Sequence, residues 1–239
     1  MNLIRIGSQY GGWIIDDAEY LHGCTMISAG LGEDASFDVE FATRFKATVL
    51  LVDPTPRAIL HYLEIQKELG KYGNVPYSST GKQPIAAYDL RAIKSSQLQL
   101  LPFALWNKRG ITFFRPPDNP EHVSHQIFEF QSEKRTETTG SFPVASSTIS
   151  DIVSVFCKFP PTVVKLDIEG AASSVIEDML LNGIFPNQLL VEFDELKIPN
   201  PQLHNKALQI HALLEKYGYC LSAQEQFNCS YIKKAISLG

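Results

Sequence analysis

Two stretches of the chain combine glycine and acidic residues in spacings that can do chemistry. The first is GLGEDASFD at 30–38, which follows the apolar run CTMISAG (24–30). Gly30 and Gly32 let the backbone turn sharply and approach a ligand closely, with Leu31 and Glu33 completing the turn. Asp53 closes the next apolar run, 23 residues after Gly30, with Pro54 behind it. An acid at that point of a nucleotide-binding α/β unit takes the ribose hydroxyls of a cofactor. In that role Asp53 is expected to matter for affinity and little for stability. The second stretch is VVKLDIEG at 163–170. Asp167 and Glu169, two apart at a strand end, face the same way if the strand conformation persists. A carboxylate held there can take a proton from a hydroxyl. Lys165 shares their spacing and is read as a structural counter-charge.

Charge separates the candidate cofactors. A dinucleotide turn wants a third glycine and a helix N-terminus open to pyrophosphate. Ala35 stands at that third position here, and Glu33 and Asp34 in the turn would repel phosphate. S-adenosylmethionine carries a sulfonium and an ammonium and no phosphate, so the acidic turn favours it.

These residues need strands to hold them. Runs at 24–30, 47–53, 161–168 and 188–196 read as buried strands, and 98–106 as a further strand with 111–115 as a short partner. Helical patterns lie between them. Phe37, Phe41 and Phe45 form one apolar stripe with Ala42; Thr55 and Pro56 open a helix whose apolar face is Ile59, Leu63 and Leu69; Ala172, Val175, Ile176 and Met179 form a third stripe; Asn200 and Pro201 open a fourth helix bearing Leu203, Ala207, Ile210 and Leu214. Strands at 219–223 and 227–233 finish the chain. The alternation predicts a single domain over 1–239: a mostly parallel twisted sheet, helices on both faces and an antiparallel C-terminal hairpin strand. Segment 1–23 precedes it. The Pro-, Ser- and Gly-rich stretches 71–97 and 116–147 read as mobile loop insertions beside the site for the reacting partner.

Ligands of such sheets bind beyond the carboxyl ends of the strands. That edge collects Gly30, Asp53, Trp106, Asp167, Glu169, Glu192 and Asp194. Trp106 is the candidate for contact with adenine, and Glu192, Asp194 and His125 are candidates for substrate contact. The other histidines read as surface or satisfied core residues.

The chain has 44% hydrophobic and 20% charged residues, enough for one large core. A net charge of −5 gives no basic face for nucleic acid. No run is long enough for a membrane span, and the N-terminal residues carry no secretory core, so a cytoplasmic location is expected. Cys24, Cys157, Cys220 and Cys229 show neither CxxC nor zinc spacing and read as free thiols. No metal site is expected.

Taken together, GLGEDASFD (30–38), VDPTPR (52–57) and VVKLDIEGAA (163–172) resemble the FkbM-type methyltransferases, with PFALWNKRGITFF (102–114) and LLVEF (189–193) similar to that family's third and fifth strands. YGGW (10–13) is similar to what a subgroup with the GEDxSFD turn carries. The resemblance spans roughly 10–235. It implies a Rossmann-like methyltransferase fold, S-adenosylmethionine as cofactor and methyl transfer to oxygen, with sugars or glycosylated natural products as acceptors. The chain departs from the family at Ala172, where an acid is usual. A nicotinamide-dependent oxidoreductase and a non-catalytic binding module are the competing readings.

Overall fold

The computed structural model describes residues 1–115, 126–128, 141–197 and 199–234. The elements in chain order are β1 (Leu3–Ile6), β2 (Trp13–Asp16), β3 (Thr25–Ala29), α1 (Ser36–Phe45), β4 (Thr48–Val52), α2 (Pro56–Lys67) and β5 (Leu98–Leu101). There follow β6 (Ala104–Leu105), β7 (Gly110–Arg115), β8 (Gln126–Phe128), β9 (Phe142–Ser147), α3 (Ile149–Phe156), β10 (Val163–Leu166) and α4 (Ala172–Leu181). The chain closes with β11 (Gln188–Glu192), α5 (Pro201–Lys216), β12 (Tyr219–Glu225) and β13 (Asn228–Lys233).

Seven strands form the central sheet in the order β12-β13-β11-β10-β3-β4-β5. The pairs β11–β10, β10–β3, β3–β4 and β4–β5 are parallel, and β13 runs antiparallel between β11 and β12. The fold is thus the expected Rossmann-like type, a mostly parallel α/β sheet with an antiparallel C-terminal hairpin. One face packs against α3, α4 and α5 through residues such as Ile152, Val175, Met179 and Ile210. The other packs against α1, α2 and the β1–β2 hairpin through Phe37, Phe41, Phe45, Ile65 and Trp13. The phenylalanine stripe is buried as its spacing predicts.

The caps follow sequence chemistry. Thr55 accepts from the Ala58 N–H with Pro56 in the first turn of α2, and Asn200 accepts from Gln202 and Leu203 at the start of α5. Thr148 and Asp151 form a capping box at α3, a helix that periodicity alone left unassigned.

Four expectations are corrected. Pro102 lacks an amide proton, so the run 98–106 splits. β5 stays in the main sheet, while β6 joins a second sheet, β6-β9-β7-β8. Consequently 111–115 pairs with β9 and β8, not with β5. The α2 face is turned from the one expected: Ala58, His61 and Ile65 are buried, whereas Leu63 is 47% exposed. The strand at 188–196 ends at Glu192, and Asp194–Leu196 is a 3-10 turn. Of the segment 116–147, Phe142–Ser147 is a paired strand, while 116–125 and 129–140, with His125, lie outside the described residues.

Segment 71–97 is irregular but well anchored. Tyr88, Leu90 and Ile93 are buried in the core beside α1 and α2. The Tyr88 hydroxyl accepts from the Ala35 N–H (3.0 Å) and lies 2.8 Å from His61 Nε2. Burial lowers the His61 pKa, so its ring is neutral and accepts the phenol proton. Tyr88→Phe therefore leaves a buried amide N–H and a ring nitrogen without partners. The expected cost is about 1–3 kcal/mol in chemical denaturation. An unchanged midpoint and slope would show that water replaces the hydroxyl.

Candidate active site

A cavity of about 940 Å³ opens at the carboxyl ends of the parallel strands, within the size range of small-molecule sites. Its wall includes Gly30, Leu31, Gly32, Glu33, Asp53, Pro54, Asp167, Glu169 and Glu192, all singled out from sequence. Trp106 and Asp194 are not on that wall. The Trp106 side chain is 7% exposed, and its indole nitrogen has no hydrogen-bond partner among the described residues.

The glycine turn is held from three sides. Gly30 has φ +86° and lies so near the tip of β10 that a Cβ there would come within 1.8 Å of the Asp167 carbonyl oxygen. Only glycine fits. Lys165, 4% exposed, donates from Nζ to the Gly30 carbonyl at 2.8 Å. The Asp53 carboxylate accepts from the N–H groups of Leu31 and Gly32 with Oδ2, both at 3.0 Å. With Oδ1 it accepts from the Thr55 N–H and hydroxyl, at 2.8 and 2.7 Å. Asp53 is therefore a clamp joining the ends of β3 and β4, which corrects the expectation that it is dispensable for stability.

The helix that follows is similarly occupied. Ser36 N–H donates to Asp34 Oδ1 (2.9 Å) and Ala35 N–H to Tyr88. Asp34 Oδ2 receives the Ser8 hydroxyl (2.6 Å) and the Gln83 amide (3.1 Å), so this acid ties the N-terminal segment and the 78–83 loop to the turn. Glu33 is flanked by Lys82 Nζ at 3.4 Å and an Arg57 guanidinium nitrogen at 3.7 Å. The acidic turn is thus built around its own partners.

On the opposite wall the strand conformation stops at Leu166. Asp167 still donates its N–H to Ala29, but Glu169 has φ +40° and Gly170 +77°. The two acids share the cavity wall through a turn, not through strand alternation. Lys165 Nζ is 3.6 Å from Asp167 Oδ2, which makes Lys165 the link between the glycine turn and this carboxylate. Asp38, fully buried below, is pushed up to about 6 by burial, with Lys165 and Ser28 pulling the other way.

Glu192 lies within hydrogen-bonding reach of Asp167. Burial raises its pKa, and the Asp167 charge and the hydrogen bond between them raise it further. These effects favour the protonated form of Glu192, with Lys197 pulling the other way. Lys197 Nζ sits 2.7 Å from both Glu192 and Asp194. Asp194 uses its other oxygen to accept from Gly170 N–H (2.9 Å), so it fastens the 167–170 turn from behind the wall.

Sequence reading missed the rest of the wall. Arg5, Gln9, Tyr10 and Trp13 come from the N-terminal hairpin, Gly81 from the adjacent loop, and Glu225–Asn228 from the C-terminal hairpin turn. The aromatic residues flanking Gly11-Gly12 in YGGW were the available signal. Among the described residues, no three side chains of metal-ligating type converge, and no helix is long and apolar enough to cross a membrane.

No protein-family model matches the chain, and no curated protein matches it. Among solved structures, precorrin-6y C5,15-methyltransferase from Geobacter metallireducens GS-15 is similar at 10% identity and TM-score 0.42, over 90% of this chain and 81% of that one. A putative methyltransferase from Thermoplasma acidophilum is similar at 9% identity and TM-score 0.40, over 98% of this chain and 84% of that one.

Asp53→Ala would strand three backbone N–H groups and one hydroxyl. A loss of about 3 kcal/mol or more is expected, since each unmade buried bond costs about 1–3. Thermal unfolding without ligand measures it, and an unchanged melting temperature would return Asp53 to a purely ligand-facing role. Glu192 gives a pH signature. Its folded pKa lies above the ordinary 4.5, so the folded state binds more protons above that pH. Stability therefore falls as pH rises through the window, by at most about 1.4 kcal/mol per pH unit. Above about pH 7 the Asp38 contribution is complete, and Glu192→Gln should flatten the remaining slope. Parallel pH profiles for parent and variant would contradict the raised Glu192 pKa.

Proposed function

We propose that the chain is an S-adenosylmethionine-dependent O-methyltransferase acting on a hydroxyl of a sugar, glycan or glycosylated natural product. The observation that carries this reading is the state of the amide donors at the glycine turn. Leu31, Gly32, Ala35 and Ser36 all donate to Asp53, Tyr88 or Asp34. A pyrophosphate needs such donors free at a helix N-terminus. A nicotinamide dinucleotide therefore has no cradle here.

The charge of the wall points the same way. Seven of its residues are acids (Glu33, Asp34, Asp53, Asp167, Glu169, Glu192 and Glu225) and three are cations. Each cation already faces a carboxylate: Arg5 meets Glu225, Lys165 meets Asp167, and Lys197 meets Asp194. Such a wall suits a ligand bearing positive charge and no phosphate. Gly30, Leu31, Gly32, Glu33, Asp53 and Pro54 are the residues that would hold the cofactor. When bound, it supplies a methyl group on a positively charged sulfur. The resemblance of GLGEDASFD, VDPTPR and KLDIEG to the FkbM-type family supports oxygen and sugars as the acceptor chemistry.

The chain's own part is to orient the acceptor and take its proton. Asp167 is the suitable base. Glu192 beside it is pushed toward its protonated form, Lys165 stabilises the Asp167 carboxylate from 3.6 Å, and the Asp167 side chain is 34% exposed. The hydroxyl proton passes to Asp167 as the oxygen gains the methyl group. Glu169, on the adjacent turn, supports the acceptor. A positioned base of this kind contributes about 10²–10⁴ in rate. No metal is required for these steps.

Calorimetry with S-adenosylmethionine, S-adenosylhomocysteine and NAD, followed by mass-spectrometric screening of methyl glycosides, tests the proposal. Both adenosyl compounds should bind and NAD should not. Asp167→Asn should keep cofactor affinity within about threefold and lose at least about a hundredfold in turnover. EDTA should leave the parent's rate unchanged. Binding of NAD alone would overturn the cofactor assignment. A fully active Asp167→Asn enzyme would make that carboxylate an anchor only, and rescue by magnesium after EDTA would replace the metal-free step.

A further inference from the structure

We infer that Tyr10 is the acceptor-binding residue of this site: its phenol donates a hydrogen bond to an acceptor oxygen beside the one that Asp167 deprotonates, from a loop built to hold it there. The inference rests on the proposed methyl transfer and goes beyond it in assigning the acceptor side to the N-terminal hairpin.

The first argument is that core packing does not explain the loop. Tyr10 is 59% exposed, yet the loop around it is tied by six hydrogen bonds, five of them to backbone groups. The Arg5 guanidinium donates to the carbonyls of Ser8 (2.7 Å) and Gln9 (3.0 Å). The Ser8 hydroxyl accepts from the N–H groups of Tyr10 (3.1 Å) and Gly11 (2.8 Å) and donates to Asp34 (2.6 Å). Gly12 N–H closes the loop on the Ser8 carbonyl at 3.0 Å. Hydrogen bonds of that density fix a side chain's direction, and a large aromatic group left mostly in solvent gains little from burial.

The second argument is where the ring lies. Tyr10 is on the cavity wall with Asp167, Glu169 and Glu192. Its hydroxyl is within electrostatic range of these three carboxyl groups and of Lys197. Burial and the charges of Asp167 and Glu192 raise its pKa, with Lys197 opposing, so the phenol stays protonated and is a donor. A donor beside a base suits an acceptor with two neighbouring oxygens, one losing its proton and the next receiving a hydrogen bond.

The third argument is Gly81. A Cβ there would lie 2.7 Å from Tyr10 Cε1 and 3.2 Å from the hydroxyl oxygen, so the ring rests on a residue with no side chain. The backbone at Gly81 is not in the left-handed region, so alanine is tolerated there and would displace the ring. Gly81 belongs to the loop that Gln83 ties to Asp34, and the same carboxylate holds Ser8. One half-buried acid, Asp34, thereby sets both sides of the Tyr10 platform.

The test measures S-adenosylmethionine affinity by calorimetry and then initial rates of S-adenosylhomocysteine release with methyl pyranosides, including deoxy analogues. Tyr10→Phe should raise the acceptor KM at least tenfold, with cofactor Kd within twofold and kcat within about fivefold. Gly81→Ala, which keeps the phenol but moves it, should raise KM in the same direction. The deoxy analogue lacking the neighbouring oxygen should lose the difference between parent and Tyr10→Phe. Unchanged KM in both variants, or a loss of cofactor affinity in Tyr10→Phe, would overturn the assignment. A parent that binds cofactor but turns over no glycoside would also overturn it, while a parent that binds no adenosyl compound would instead overturn the proposed function beneath it.

Discussion

The tips of β3 and β10 meet with no room for a side chain between them, since a Cβ on Gly30 would lie 1.8 Å from the Asp167 carbonyl oxygen. Once the two strands are that close, the turn after β3 and the turn after β10 move as one body. Lys165 makes the union polar as well as steric, with its ammonium on the Gly30 carbonyl and near the Asp167 carboxylate. A buried lysine is costly unless it is hydrogen-bonded and paired. Here its partners belong to the two stretches whose relative position decides whether a cofactor and a base can face each other. Asp53 extends the clamp to β4.

That arrangement explains how so many acids coexist. Like charges at one sheet edge repel unless something changes their protonation or gives them partners. Several devices operate here. Asp53 and Asp34 are neutralised locally by backbone and side-chain donors, Glu33 faces Lys82 and Arg57, and Asp194 shares Lys197 with Glu192. Burial and the neighbouring Asp167 charge push the Glu192 carboxyl toward its neutral form. The charges with a clear opening to the cavity are few, and Asp167, at 34% exposure, is one of them.

The parts of this structure that sequence made legible share one property, a local physical period or a backbone requirement. The buried strands, the phenylalanine stripe and the caps at Thr55 and Asn200 depend on neighbours within a few residues. Gly30 is readable because only glycine meets a positive φ and a close approach together. The misreadings share the opposite property. Trp106 lies beyond the break at Pro102, and the structure buries it away from the cavity wall. Asp53 also bonds the Leu31 and Gly32 amides across a gap that closes only in three dimensions, beyond its local bonds to Thr55. Glu169 was read as strand when its backbone is left-handed. Segment 71–97 lacks periodicity, and its anchors are tertiary: Tyr88, Leu90 and Ile93 in the core and Gln83 on Asp34.

The same contrast separates the two sides of the cavity. The wall around the glycine turn is made by chain segments that follow one another through β3, α1 and β4, and its acids bond to backbone amides or to nearby donors. Such a site has one geometry, set by short-range rules. The wall around Tyr10 joins residues 5–13, the loop at 81 and the hairpin turn at 225–228, which are far apart in sequence. Its join depends on Asp34 and on Arg5, which pairs with Glu225 as well as with the Ser8 and Gln9 carbonyls. Loops assembled this way can change one at a time without disturbing the sheet, because none supplies a parallel strand. On the proposed reading, the cofactor side is constrained by the clamp at Gly30 and the acceptor side by a few exchangeable polar ties. Acceptor preference is therefore expected to vary through residues 5–13, 78–83 and 225–228, while the turn at 30–34 and the pair Lys165–Asp167 hold the chemistry fixed.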